Sequence, residues 1–280
     1  MQIKEPALIL NMENQFALPR NFRMTDACLS SSQLSSHGLL ELRTSASGQF
    51  SQNSLTTILE IIPADKLILI DLREESHGFI NGIAVSWYGE KNSGNKDKSL
   101  EEIQHDEKER LQKAIKNEYL YIYQKNGELI DPVQIYVKEA YTEAELAQKM
   151  GIHYARIPVT DYLKPCDKEV DRFIDFIKTH ILNEKNSDCW MHLHCAAGRG
   201  RSTTFISMYD MMLNASHLSC LDILARQAMI GGKDLTEPFE ISDWRYGHHF
   251  ERLNFLLEFY NYCLENPNLE QSWTSWKKVK

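Results

Sequence analysis

No apolar stretch in this sequence approaches the length needed to cross a bilayer. The N-terminal MQIKEPALILNMENQ offers only a four-residue apolar run, too short for a signal-peptide core. A cytoplasmic protein is expected by default, or one exported by a route without a cleavable signal. Positive charge is not in excess either: 31 Lys+Arg against 39 Asp+Glu give a net charge of −8. That argues against broad nucleic-acid binding and makes any phosphate site a local basic pocket on an acidic protein. The six cysteines (Cys28, Cys166, Cys189, Cys195, Cys220, Cys263) form no CxxC pair. Their scatter fits neither a zinc site nor a small disulfide scaffold, so all but Cys195 read as reduced, buried small apolar residues. There is no internal repeat, and one active site is expected.

What is present is an ordinary globular composition, with 42% hydrophobic and 25% charged residues over 280 positions, enough for a sizeable core. The first 50 residues read as irregular, with a loop at 30–38. Lys66–Asp71 (KLILID) reads as a strand buried on both faces, and Leu72–Asn95 as loop-like. Ser99–Lys116 reads as a solvent-exposed helix. Tyr119–Tyr123 and Val133–Val137 flank an Asn126-Gly127 turn and suggest a small antiparallel unit. Thr142 and Glu145 make a capping box for a short helix stopped by Gly151. A strand at Tyr154–Val159 precedes a helix whose Val170, Phe173, Ile174, Ile177 and Ile181 share one face. Strand Cys189–His194 is followed by a Gly-rich turn and a helix from near Ser202 through Met212. Two more helices fit Cys220–Ile230 and His248–Cys263. The order is that of an α/β fold.

The informative segment is His194-Cys195-Ala196-Ala197-Gly198-Arg199-Gly200-Arg201-Ser202. It places a thiol at a strand's carboxyl end and an arginine six residues later at a helix start. Gly198 and Gly200 let the intervening backbone N–H groups converge on one point. The helix N-terminus adds partial positive charge, completing a cradle for a tetrahedral oxyanion. The same field favours a thiolate over a thiol at Cys195, in line to attack phosphorus. Arg201 is suited to grip two phosphoryl oxygens, and Ser202 to hydrogen-bond the sulfur and help water discharge the intermediate. His194 is expected to orient the loop. The leaving alkoxide needs a proton. Asp161, on a proline-flanked loop after a strand, is one of several acids that this chemistry would accept.

These residues resemble the bacterial protein-tyrosine-phosphatase-like phytases, also called cysteine phytases or inositol polyphosphate phosphatases. The likeness runs from Leu18 to about Trp276 through LPRNFR (18–23), IDLREESHGFINGIAVSWYGE (70–90), TDYLKPCDKEVDRF (160–173), WMHLHCAAGRGRSTTF (190–205) and RQAMIGG (226–232). The resemblance implies a tyrosine-phosphatase-type central sheet flanked by helices, with a small inserted β-barrel-like lobe. The chain is then one cysteine-phosphatase domain over 1–280, and approximately 78–140 contributes the lobe. It also implies hydrolysis without metal or cofactor through a phosphocysteine, with Asp161 as general acid. Arg23 and Lys138 would contact substrate phosphates, as would the loop residues Ala196, Ala197, Gly198, Arg199 and Gly200 and the neighbour of the acid, Tyr162.

Other residues carry two readings. Arg73, Glu74 and His77 either meet ligand beyond a strand's end or form a buried ion-pair network. Trp87 reads as core in preference to a stacking surface, His192 as a core histidine, and Lys233 as solvated in preference to reaching substrate. Against the usual family pattern, Ala196 replaces Glu, Arg199 a neutral residue, Ser202 a Thr and Tyr162 a His. The first two changes remove a carboxylate and add a guanidinium, making the pocket mouth more cationic by two charges, which favours a substrate with several phosphates. The expected partner is a small, multiply phosphorylated inositol. A phosphoinositide lipid or a phosphotyrosine protein is the alternative, since a basic loop residue also resembles phosphoinositide phosphatases. A catalytically inactive phosphate-binding module would lack nucleophile, arginine or acid, and all three are present.

Overall fold

The computed structural model describes residues 6–27, 29, 34–62, 66–126, 128–182 and 188–280. Cys28, residues 30–33 of the serine-rich stretch and Gly127 lie outside the described residues. A five-stranded sheet has the order β10-β4-β11-β3-β2, comprising β2 (Arg23–Met24), β3 (Thr44–Ser47), β4 (Lys66–Arg73), β10 (His153–Val159) and β11 (Cys189–His194). Strands β10, β4, β11 and β3 run parallel, and β2 joins antiparallel at the edge.

The period-two alternation of each strand separates two different faces. Ile68, Ile70 and Leu72 of β4, with Met191, Leu193 and Cys195, point into one apolar cluster. That cluster is closed by α4 (Asp167–His180), α5 (Gly200–Asn214), α6 (Cys220–Met229), α7 (Tyr246–Glu265) and α8 (Trp273–Lys277). Leu67, Leu69 and Trp190 face the other side, toward α1 (Gln52–Ile61) and α3 (Glu143–Lys149). Asp71, Arg73, His192, His194 and Arg156 have the same parity as this second set. The α3 face is therefore apolar at one end and densely polar at the end where the strands finish. Helix α5 is buried almost throughout, and Asp210 on it takes the guanidinium of Arg226 from α6.

The second sheet has six strands in the order β8-β7-β1-β6-β5-β9, formed by β1 (Ala7–Leu10), β5 (His77–Ile80), β6 (Ile83–Tyr88), β7 (Tyr119–Asn126), β8 (Glu128–Tyr136) and β9 (Ala140–Tyr141). Helix α2 (Leu100–Lys116) packs on it, opened by the capping box of Ser99 and Glu102. The expected β-rich lobe is thus present, and the N-terminal strand also contributes to it.

Three readings are corrected. Leu72–Asn95 is not loop throughout: Leu72 and Arg73 finish β4, and His77–Tyr88 is a hairpin in which Asn81 and Gly82 both take positive φ, the primed turn that matches strand twist. The first 50 residues supply β1, β2 and β3, short strands whose alternation is masked by small residues such as TSAS. The helix at 100–116 is not wholly exposed, because Glu107 is buried against Arg156.

Candidate active site

The loops after β3, β4, β10 and β11 gather at the carboxyl end of the parallel strands, where open α/β sheets bind ligands. Cys195 follows β11 directly, and Arg201 and Ser202 occupy the first turn of α5. Gly198 adopts φ +70°, and a Cβ there would meet the Gly48 nitrogen at 2.2 Å, so only glycine lets the loop close on the end of β3. Three successive loop carbonyls are held from behind. Arg20 Nη2 donates to Ala196 O (2.9 Å), Asn21 Nδ2 to Ala197 O (2.8 Å) and Arg23 Nη1 to Gly198 O (2.6 Å). With the carbonyls turned outward, the loop amides are left for an anion at the centre.

LPRNFR supplies all three of these contacts. Arg23 is buried, and its Nη2 also reaches Thr203 Oγ1 at 3.0 Å, so it braces the loop and is not among the cavity residues. Burial pushes its pKa down to about 10, partly opposed by Cys195. Lys138 is not brought to the cavity either. It is exposed between β8 and β9, with its N–H on Asn81 Oδ1 (2.8 Å).

Cys195 Sγ lies 3.8 Å from Ser202 Oγ. Arg201 is gripped bidentately by Glu75, at 2.6 and 2.9 Å, and also donates to Val159 O at 3.0 Å. Its Nη2 is 3.4 Å from Asp161 Oδ1, which places the acid loop over the catalytic arginine. Asp161 also accepts from Asn92 Nδ2 (3.1 Å) and the Tyr162 N–H (3.1 Å). Burial disfavours the charge on Arg201, but Asp161 and Glu75 outweigh it and raise its pKa further. Glu75 is the converse: burial would raise its pKa, while Arg201 and Arg73 hold it well below the carboxylate range. Arg201 Nε has no hydrogen-bond partner among the described residues.

Behind the loop, Arg73 and His77 resolve as part of an ion-pair network, whereas Glu74 enters no ion pair among the described residues and its Oε2 is buried without a hydrogen-bond partner. Arg73 Nε donates to Glu75 at 2.9 Å. Arg156 lies 3.0 Å from Asp71 and 2.9 Å from Glu107. His77 Nε2 is 3.3 Å from Asp71, and His194 Nε2 is 2.6 Å from Glu143. Burial and Arg73 act against a charged His77, but Asp71 and Glu107 prevail and raise its pKa to about 9. His192 is a satisfied core histidine between Ser45 Oγ (2.8 Å) and Ser47 Oγ (3.0 Å), its pKa pushed down to about 3 by burial and then by His194. Asp71, His77 and Glu143 bring ligand-type atoms within 4.8 Å of one another, but Arg156 already supplies positive charge there. Trp87 is half-buried under Arg110, on the lobe and away from Cys195.

A cavity of about 270 Å³ opens over Cys195. Asp161, Tyr162, Ala197, Arg199 and Gly200 line it, Ala196 and Gly198 do not, and Tyr162 packs edge-on to Trp244 with ring centroids 5.0 Å apart. Lys233, whose second reading was contact with substrate, also lines it, as do Phe239, Arg245 and Arg252, which the sequence did not point to. Lys233 is therefore not simply solvated. Arg252 is almost fully buried. Its Nη2 donates to Leu163 O (3.1 Å), its Nε is unpartnered among the described residues, and burial lowers its pKa to about 10. In sequence it is one more charged residue within a helix, and no local signal marks it.

The family model for protein-tyrosine-phosphatase-like phytases, described by the words "inositol hexakisphosphate", matches residues 70–213. A solved myo-inositol phosphatase of this type from Mitsuokella multacida, in complex with myo-inositol-(1,3,4,5)-tetrakisphosphate, is 31% identical with a TM-score of 0.92. The match covers 99% of this chain and 50% of that one. A PTP-like phytase from Bdellovibrio bacteriovorus is 32% identical with a TM-score of 0.76, covering 99% of this chain and 97% of the other. The effector protein hopD2 of Pseudomonas syringae pv. tomato is 27% identical over 248 residues, 86% of this chain and 52% of its own length. The chain thus spans about half the length of the Pseudomonas and Mitsuokella proteins it matches.

Proposed function

This chain belongs to the protein-tyrosine-phosphatase-like phytase family, and from that premise we propose that it hydrolyses phosphomonoesters of inositol polyphosphates stepwise through a phosphocysteine. The observation that carries the reading is the convergence on one cavity of Cys195, Asp161 and four cations, Arg199, Lys233, Arg245 and Arg252, above the Arg201–Glu75 pair. A single phosphate needs the loop amides and Arg201. The additional cations suit a substrate with further phosphates.

Cys195 Sγ attacks phosphorus as a thiolate and forms an S–P bond while the P–O ester bond breaks. Asp161, protonated, gives its proton to the departing alkoxide. Water then attacks phosphorus, Asp161 takes its proton, the S–P bond breaks and inorganic phosphate leaves. Ser202 Oγ is positioned to hydrogen-bond the thiolate as it departs. Arg201 and the loop amides hold the equatorial oxygens throughout, and Arg199, Arg245 and Arg252 fix the remaining phosphates so that binding energy positions the reacting one.

The test is phosphate release, with EDTA present, from inositol hexakisphosphate, a phosphoinositide, a phosphotyrosine peptide and p-nitrophenyl phosphate by wild type and Cys195→Ser. Preference for the hexakisphosphate, lost in the serine variant, is the expected result. Faster turnover of lipid or peptide would move the substrate assignment and leave the mechanism standing. Equal inertness of both proteins would end the enzyme reading.

Among the described residues no helix is long and apolar enough to cross a membrane. The similarity to a protein named as an effector supports delivery into another cell as the place of action. A translocation reporter fused to the chain, silent in the recipient cell, would refute that.

A further inference from the structure

Lys233 belongs to none of the steps above, yet its placement is built. Gly231 takes φ +106°, and a Cβ on Gly232 would meet Gln227 O at 2.4 Å, so the turn after α6 closes tightly only with glycine. That turn brings the chain back to the catalytic helix, where Lys233 N–H donates to Thr203 Oγ1 at 3.1 Å. The side chain then crosses Phe239, with Nζ 4.0 Å from the ring centroid. Lys233, Phe239 and Arg199 line the cavity that holds Cys195. Neither Lys233 nor Arg199 forms an ion pair among the described residues, whereas Arg245 beside them is paired with Asp243. Lys233 has its pKa lowered by burial and next by Arg199, so the two cations are near enough to repel each other. An anion between them would remove that repulsion, and the half-buried setting would make its attraction stronger than at an open surface.

We propose that Lys233 and Arg199 together form a second anion seat at the mouth of the site, and that its ligand is a substrate phosphate other than the one transferred to Cys195. The inference rests on the reading of the site as one for multiply phosphorylated substrates. A lone phosphate fills the catalytic loop and leaves this seat empty, so Lys233 governs selection among substrates and not the chemical step.

Calorimetric titration of the Cys195→Ser protein tests this, with inositol hexakisphosphate as one probe and inorganic phosphate, which fills only the catalytic loop, as the other. Lys233→Met should weaken hexakisphosphate binding about 10-fold, the size of one well-placed charge contact, and shift inorganic phosphate by less than about 2-fold. Lys233→Arg should restore most of the loss, which guards against a turn that simply misfolds. In the Arg199→Ala background, the Lys233→Met effect should differ from 10-fold by at least about 2-fold, because two groups on one phosphate are not additive. An equal loss for both probes would overturn the second seat, and so would an unchanged hexakisphosphate affinity. If the parent neither binds nor, as wild type, hydrolyses hexakisphosphate while still cleaving p-nitrophenyl phosphate, the polyphosphate reading itself fails and the seat falls with it.

Discussion

The catalytic loop has a back and a mouth, and the two handle charge in opposite ways. At the back, Arg73 and Arg201 share Glu75, Arg156 bridges Asp71 and Glu107, and His194 meets Glu143. At the mouth, Arg199 and Lys233 lack an ion-pair partner among the described residues, and Arg252 donates only to a carbonyl. Pairing at the back fixes geometry, because removing one partner strands a buried charge. Unpaired cations at the mouth keep their attraction for a ligand. Two arginines stand between these extremes: Glu75 holds Arg201 through Nη1 and Nη2 while its Nε stays without a partner among the described residues, and Arg245 lines the cavity although Asp243 pairs with it.

The comparison can be broken most directly at the sulfur. Cys195→Ser should lower turnover by at least about 10⁴-fold on every substrate, since the loop would still bind phosphate but lack a competent nucleophile. Binding measured on the same variant should survive, and its loss would mean that the cysteine also builds the loop. Asp161→Asn comes next, at about 10²- to 10⁴-fold on alkyl phosphates. The loss should be smaller for p-nitrophenyl phosphate, whose leaving group departs without a proton. An equal loss on both would assign Asp161 to holding Arg201, 3.4 Å away, and not to proton transfer.

Glu75→Gln attacks the back alone. It leaves Arg73 and Arg201 without their shared carboxylate and should cost about 3–5 kcal/mol of stability, read as a shift in urea midpoint. A truncation at the mouth such as Arg199→Ala should move that midpoint little, because no pair is broken. If both variants destabilise alike, the division between back and mouth is wrong.

Much of the architecture was legible because it follows from local pattern. Strand β11, the helix starts at Ser99 and Thr142, and the loop from Cys195 to Arg201 all have strong local signals. The hairpin at Asn81-Gly82 was equally readable by its turn residues and was passed over because its strands are short and contain glycine. Glu75, Glu143, Lys233 and Arg252 were illegible for a different reason. Each acts through a partner distant in sequence, as Glu75 does on Arg201 126 positions away. Strand parity does predict that Asp71, Arg73, His192 and His194 share a face, but not which of them pair. Arg23 shows the same limit: the motif marks that an arginine is needed, and only the fold shows that it grips Gly198 O.

The mildest probe of the back is pH. His77 has a folded pKa raised to about 9, burial being outweighed by Asp71 and Glu107, against about 6.5 when unfolded. Its stabilisation is therefore complete below about pH 6.5 and is lost as pH rises through 9, at most on the order of 3 kcal/mol. His192 has the opposite sign. With its folded pKa pushed down to about 3, it stays neutral while the unfolded chain takes up a proton, so stability falls as pH drops below about 6.5. The wild-type urea midpoint should accordingly peak near pH 6–7. His77→Gln should lower that peak and flatten the alkaline side, leaving the acid side as it was. The same curve for Arg199→Ala should run parallel to wild type through the acid and neutral range, because both histidines lie at the back, and should part from it only well above neutral pH, where Lys233 is freed of the repulsion of Arg199. An alkaline slope that survives in His77→Gln would place the titrating group elsewhere and remove the histidine from the account of how the back is held.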